Sequence, residues 1–139
     1  MSIIRSKIFV VYYLAKQWFA AFILSLISTL VFKLYLASIF LANFLTWVLA
    51  FLIKQQAQTN TIILHYNVDS GIDNIAEAWH IFLLPLSGLI IIIVNLILVS
   101  LLYRYRQEKL IFHLLFAGVL MVNLTILVAM IMLYLINFR

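Results

Sequence analysis

The residues best suited to chemistry crowd into one stretch, Ile62 to Pro85, reading IILHYNVDSGIDNIAEAWHIFLLP. It holds three of the four acidic residues (Asp69, Asp73, Glu77), two of the three histidines (His65, His80) and the only proline. On a helix, Glu77 and His80 lie at i, i+3 on one face, and Glu-x-x-His is a ligand spacing of carboxylate-bridged metal sites. Those sites use the motif twice, with further carboxylates. Here it occurs once, with Asp69, Asp73 and His65 as extra ligands to draw on. The expectation is therefore a set of polar residues solvating a lid, with Glu77 and His80 as weak metal candidates and no cofactor. Hydrolytic chemistry has less support. No serine sits in a nucleophile-elbow context, and no glycine-rich phosphate loop is present. The chain has no cysteine, so disulfides and thiolate-held metals are excluded.

The elements that must position this stretch are apolar. Of 139 residues, 68% are hydrophobic and 9% charged, and the mean hydropathy is +1.22. A soluble domain carries roughly a quarter charged residues, so this chain cannot cover itself in water. Apolar runs of transmembrane length recur. The expected fold is an all-α integral membrane protein, a single membrane domain over 1–139. It has three spans, at 34–53, 81–103 and 110–136, joined by a loop at 54–80 and a basic turn at 104–109. Residues 1–33 contain no glycine or proline, and they read as an amphipathic, interfacial helix running into the first span. The start resembles a signal sequence but lacks a small-residue cleavage site, so it is read as retained. Gln17, Ala21, Ser25 and Ser28 recur on it at helical spacing, a small-residue stripe suited to close packing.

Charge gives the orientation. Arg5, Lys7, Lys16 and Lys33 precede the first span, Arg104, Arg106 and Lys109 sit between the second and third, and residues 55–80 contain neither lysine nor arginine. The positive-inside rule places the N-terminus and the 104–109 turn in the cytoplasm, and the loop and the C-terminus outside. A fourth span at 8–32 would put Arg5 and Lys7 outside. The formal charge of +5 is then a topology signal, and nucleic acid is not an expected partner. Trp47, Trp79 and Tyr103 fall near the expected interfaces. Lys33 should snorkel, and His113 reads as interfacial.

Each span carries one central asparagine: Asn43, Asn95 and Asn123. An unpaired amide in hydrocarbon costs several kcal/mol, so these should face inward and bond across helices. Gly88 shares a face with Asn95. Gly118 and Thr125, also seven apart, could admit a close helix approach. No acidic residue lies within a span, which argues against ion-coupled transport.

Within the polar stretch, residues 62–68 are β-favouring and Ser70-Gly71 signals a turn. Asn74 and Glu77 fit a capping box, predicting a helix from Ile75 into the second span. Pro85 either opens that span or kinks it. An extended segment would put His65 and Asn67 on one face, bonding to the Gly71–Asp73 turn, with Tyr66 on the other.

The run from Leu64 to Pro85 resembles the short domain at the N-terminus of SdpI-family membrane proteins. In that family a span is followed by Pro-x-His-aromatic-Asn, then Gly and Asp, then Leu-Pro opening the next helix. His65, Tyr66 and Asn67 match the core, and Gly71, Asp73, Leu84 and Pro85 match the later positions. The proline before the histidine and the lysine before the second helix are missing, and the glycine is displaced by one residue. The resemblance covers roughly residues 34–105 and implies a role in toxin immunity or signalling. The reading is a non-enzymatic protein of the bacterial cytoplasmic membrane. Its partners would be the lipid bilayer and either other membrane proteins or a secreted peptide, met through an extracytoplasmic lid. The alternative is an accessory subunit of a larger membrane assembly, and a metal-dependent enzyme stands third.

Overall fold

The computed structural model describes residues 9, 10, 12–14, 16, 17, 20, 21, 24, 28–57, 61–67, 71–103 and 109–138. Arg5, Lys7, Ser25, Asp69, Ser70, Arg104 and Arg106 fall outside them. The order of elements is α1 (Leu30–Gln56), β1 (Thr61–Asn67), β2 (Gly71–Glu77), a 3-10 helix (Ala78–Phe82), α2 (Leu83–Tyr103) and α3 (Lys109–Phe138). Three helices among the described residues are long and apolar enough to cross a membrane: Leu30–Gln56, Ala78–Leu102 and Leu110–Phe138. The chain is a multi-pass, all-α membrane protein with one small β-hairpin.

The described residues from Phe9 to Ser28 are helical, but that helix does not run unbroken into the first span. Thr29 is extended, with φ −103° and ψ 125°, and takes the N-cap position of α1 without a side-chain cap bond. Neither glycine nor proline marks this break. Lys33 therefore sits inside the first turn of α1, exposed, rather than ahead of the span. Gln17, Ala21 and Ser28 of the expected packing stripe are exposed.

The buried positions repeat at the alternating three- and four-residue spacing that lets helices pack along a seam. On α1 they are Ile39, Ala42/Asn43, Thr46, Ala50 and Ile53. The α2 side contributes Pro85, Gly88, Ile92, Asn95 and Val99, and α3 contributes Phe116, Val119, Asn123, Met130 and Leu133. The interior divides into three layers. Ile39, Ile92, Val99, Phe116 and Val119 form one apolar layer, and Ala50, Ile53, Ile62, Ala78, Ile81, Met130 and Leu133 form another. Between them lies a polar layer of Asn43, Thr46 and Asn123. Against the first apolar layer, Phe32, Tyr35 and His113 form a ring cluster with its Phe116, with His113 stacked on Phe32 at 5.3 Å between centroids.

At the opposite end β1 and β2 pair antiparallel, with Thr61 opposite Glu77, Ile62 opposite Ala76 and Ile63 opposite Ile75. The register then shifts twice. His65 faces Asn74 and Tyr66 faces Ile72, so Leu64 on β1 and Asp73 on β2 are each the extra residue of a bulge, a feature that bends and twists a ribbon. Ile62, 3% exposed, enters the apolar layer beneath. Burying such a side chain from the aqueous side is worth about 1.5–3 kcal/mol.

The helix expected from Ile75 under an Asn74–Glu77 capping box is not formed. Residues 71–77 are strand, and the 3-10 helix begins at Ala78 with Glu77 as its N-cap. Two forces override the local signal. Ile72 and Ile75 have cross-strand partners in β1. Pro85 lacks an N–H, and its ring clashes with the carbonyl four residues back, at Ile81, so a regular α-helix cannot extend through it. The tighter 3-10 turn ends instead with Leu83 N–H reaching the carbonyls of His80 and Ile81. Pro85 thus lies in the opening turn of α2, without a mid-span kink.

Candidate functional site

Two polar arrangements are built on this frame, one inside the bundle and one at its hairpin end. Inside, Asn43 Nδ2 uses both of its protons. One goes to the Pro85 carbonyl at 3.1 Å and the other to Asn123 Oδ1 at 3.2 Å. Asn123 Nδ2 donates to the Val119 carbonyl of its own helix at 3.0 Å. Thr46 Oγ donates to the Asn43 carbonyl at 2.6 Å. One amide pair therefore ties all three helices together, with Asn123 and Thr46 fully buried and Asn43 nearly so. The Pro85 carbonyl is available because a carbonyl has two lone pairs.

Gly88 makes this possible. A Cβ on it would lie 2.7 Å from Asn43 Nδ2 and 2.8 Å from Asn123 Oδ1, inside the bond it would interrupt. α2 therefore presents bare backbone at the level where α1 and α3 present amides. Asn95, although buried, takes no part. It stands seven residues farther along, about 10 Å of helix, between Ile92 and Val99 of the apolar layer. The three asparagines thus do not form one cluster; α2 contributes Gly88 and the Pro85 carbonyl in place of Asn95. Gly118 has no atom within 4 Å of an added Cβ, and Thr125 donates to its own helix at Met121. That pair does not mark a close helix approach.

At the hairpin end, Asn137 holds β1 to α3. Its Oδ1 accepts from Ile63 N–H at 2.9 Å, and its Nδ2 donates to the Ile63 carbonyl at 3.0 Å and to the Leu133 carbonyl at 2.9 Å. The amide therefore acts as a one-residue strand, closing the outer edge of β1. Sequence reasoning passes over Asn137 and Thr46. Nothing local distinguishes a terminal asparagine whose partner lies 74 residues away, although Thr46 does share the helical face of Asn43.

Glu77 and His80, the candidate metal ligands, are otherwise engaged. Glu77 Oε2 accepts from Trp79 Nε1 at 2.7 Å. His80 Nδ1 donates to the Glu77 carbonyl at 3.2 Å and its ring stacks on Trp79 at 3.9 Å between centroids. With Glu77 extended and His80 in a 3-10 turn, the pair does not share an α-helical face. No group of three or more metal-ligating side chains gathers among the described residues. Close by, Phe82 carries Lys54 Nζ at 5.5 Å from its ring centroid and packs against Trp47 at 6.0 Å.

The motif His65, Tyr66, Asn67, Gly71, Asp73, Pro85 separates into two parts. Tyr66 pairs with Ile72 and Asn67 with Gly71 at the far end of the hairpin, and His65 pairs with Asn74 beside the bulge at Asp73. Pro85 belongs to the amide layer within the bundle. The His-Tyr-Asn and Gly-x-Asp segments are brought together by strand pairing, not by a turn followed by a helix.

No family model matches the chain, and no curated protein or solved structure matches it.

Proposed function

We propose that this chain is a non-enzymatic protein of the bacterial cytoplasmic membrane that works by interaction, with the hairpin as its extracytoplasmic recognition element. The observation that carries this reading is how the hairpin is held. Ile62 is embedded in the bundle and Asn137 fixes the Ile63 backbone to the end of α3. A partner engaging the hairpin is thereby coupled directly to a membrane-spanning helix. Asn43 and Asn123 are engaged with each other and with backbone carbonyls, which suits a role in packing. The likeness of His65-Tyr66-Asn67 and Gly71–Asp73 to the SdpI-family domain supports the same reading, with sensing or immunity as the outcome. A second reading, an accessory subunit of a larger assembly, is favoured by the helical N-terminal residues. Phe9, Tyr12 and Leu24 there are 71%, 64% and 70% exposed, a surface that partner helices could cover.

Orientation is tested on a chain that has no cysteine of its own. Ser70→Cys should react with an impermeant maleimide from outside intact cells and Gln107→Cys only after lysis. The reverse pattern would defeat the orientation. The recognition role is tested by placing a photo-crosslinking residue at Ile75 or Trp79 in living cells, with Met121, exposed on α3, as the lipid-facing control. Adducts to a peptide or protein confined to the hairpin positions are the expected result. Adducts confined to the N-terminal helix would favour the accessory-subunit reading, and lipid adducts alone would sink both.

A further inference from the structure

We infer that the outer edge of β2 receives an extended, cationic peptide as a third strand. This rests on the reading of the hairpin as the recognition element and names what it would recognise. In an antiparallel ladder, a residue's N–H and C=O point to the same side, alternately toward the neighbouring strand and away from it. Ile63 turns both groups to Asn137, so Ile63 and its partner Ile75 form a non-hydrogen-bonded pair. Ile75 must then turn its own N–H and C=O to the opposite edge of the hairpin. Glu77, two residues on, has the same sense, and its carbonyl is taken by His80 Nδ1. The main contacts of the hairpin with the helices run through β1. The two edges therefore differ: β1 is closed by an amide, and β2 offers backbone groups at Ile75, a residue 61% exposed. Exposed edges of this kind accept an added strand, with main-chain hydrogen bonds giving affinity and side chains giving selectivity.

Charge selects the occupant. The β2 strand reads GIDNIAE, with an acid on each side of Ile75, and residues 55–103 contain no lysine or arginine. A second copy pairing antiparallel about Ile75 would set the acidic ends of the two strands against each other, which destabilises a sheet. A peptide with an apolar residue facing Ile75 and cations on either side meets complementary charge instead. The bulge at Asp73 ends the regular edge there, so the added strand is short.

The test uses the full chain in phosphatidylcholine nanodiscs, whose neutral lipid does not attract cations. The probe is a short fluorescent peptide alternating lysine and valine, and its fully backbone-N-methylated form keeps side chains and charge but loses every donor. The parent peptide should bind, and methylation should weaken it about tenfold or more, the worth of one or two backbone hydrogen bonds. Ile75→Pro should weaken the parent peptide similarly, because it deletes an outward N–H while sparing the β1–β2 ladder, the one place in an edge strand where proline is tolerated. Equal binding of the methylated peptide, or none by the parent, would overturn the inference. So would a disulfide-linked dimer from Ile75→Cys in membranes, which would place a second copy on the edge. If hairpin crosslinks to a partner persist in cells while the strand peptide fails, strand addition falls and the recognition role stands.

Discussion

Gly88→Ala should destabilise the protein by about 2–4 kcal/mol, combining overpacking with the loss of a buried hydrogen bond, whereas Gly118→Ala should leave stability unchanged or raise it by up to about 1 kcal/mol. Both substitutions replace a glycine by the best helix former and should be slightly favourable on propensity alone. They differ in what the new methyl meets. At Gly118 it meets nothing within 4 Å. At Gly88 it meets the Asn43 amide nitrogen and the Asn123 amide oxygen at 2.7 and 2.8 Å. Either amide can rotate away only by leaving its partner, and in the bundle interior no water replaces it. Interhelical hydrogen bonds in membranes average only about 0.6 kcal/mol. The expected loss is larger because the methyl also forces α2 away from α1 and α3. Reversible unfolding in mixed micelles measures both variants against the parent. Equal stabilities would show that the amide pair does not set the spacing of the helices.

The second large effect is expected at Asn137. Asn137→Ala leaves the Ile63 N–H and C=O without their partner and removes a side chain that hydrogen-bonds α3 to the hairpin. An unpaired buried backbone group costs about 1–3 kcal/mol. Ile62 still anchors the hairpin, so the loss should be local: a hairpin that opens about ten- to a hundredfold more often while the helices keep their packing. Limited proteolysis from the hairpin side reads this directly. Cleavage between residues 57 and 77 should accelerate while helix content by circular dichroism stays constant. Unchanged cleavage would mean that Ile62 and its neighbours hold the hairpin alone.

Much of this architecture is legible in the sequence because the bilayer makes it so. Apolar runs of sufficient length have one stable form in lipid, and the inward placement of Asn43 and Asn123 follows from the cost of an unpaired amide. The start of α1 at Thr29 is not legible, since the break uses neither glycine nor proline. The segment after Gly71 is misleading for a definite reason. Asn74 and Glu77 imitate a helix start, but Ile72 and Ile75 find strand partners whose identity depends on a register with two bulges. Tertiary pairing overrides the local signal there, as it often does in short β segments. The candidate site divides the same way. That Gly88 and not Asn95 completes the polar layer is a matter of helix level, which spacing along one helix cannot supply. Asn137 is invisible because its partner is a backbone group distant in sequence.

The hairpin is asymmetric, fixed to α3 on one edge and open on the other, and this asymmetry carries the functional reading. Amide hydrogen exchange of the intact chain in nanodiscs, resolved at Ile63 and Ile75, tests it without any substitution. The two residues face each other across the ladder, so they share its local stability, with Ile63 half-buried and Ile75 exposed. Ile63 N–H, held by Asn137 at 2.9 Å, should exchange at least about tenfold more slowly than Ile75 N–H, which points out from the open edge. Equal rates, or the slower exchange at Ile75, would contradict it.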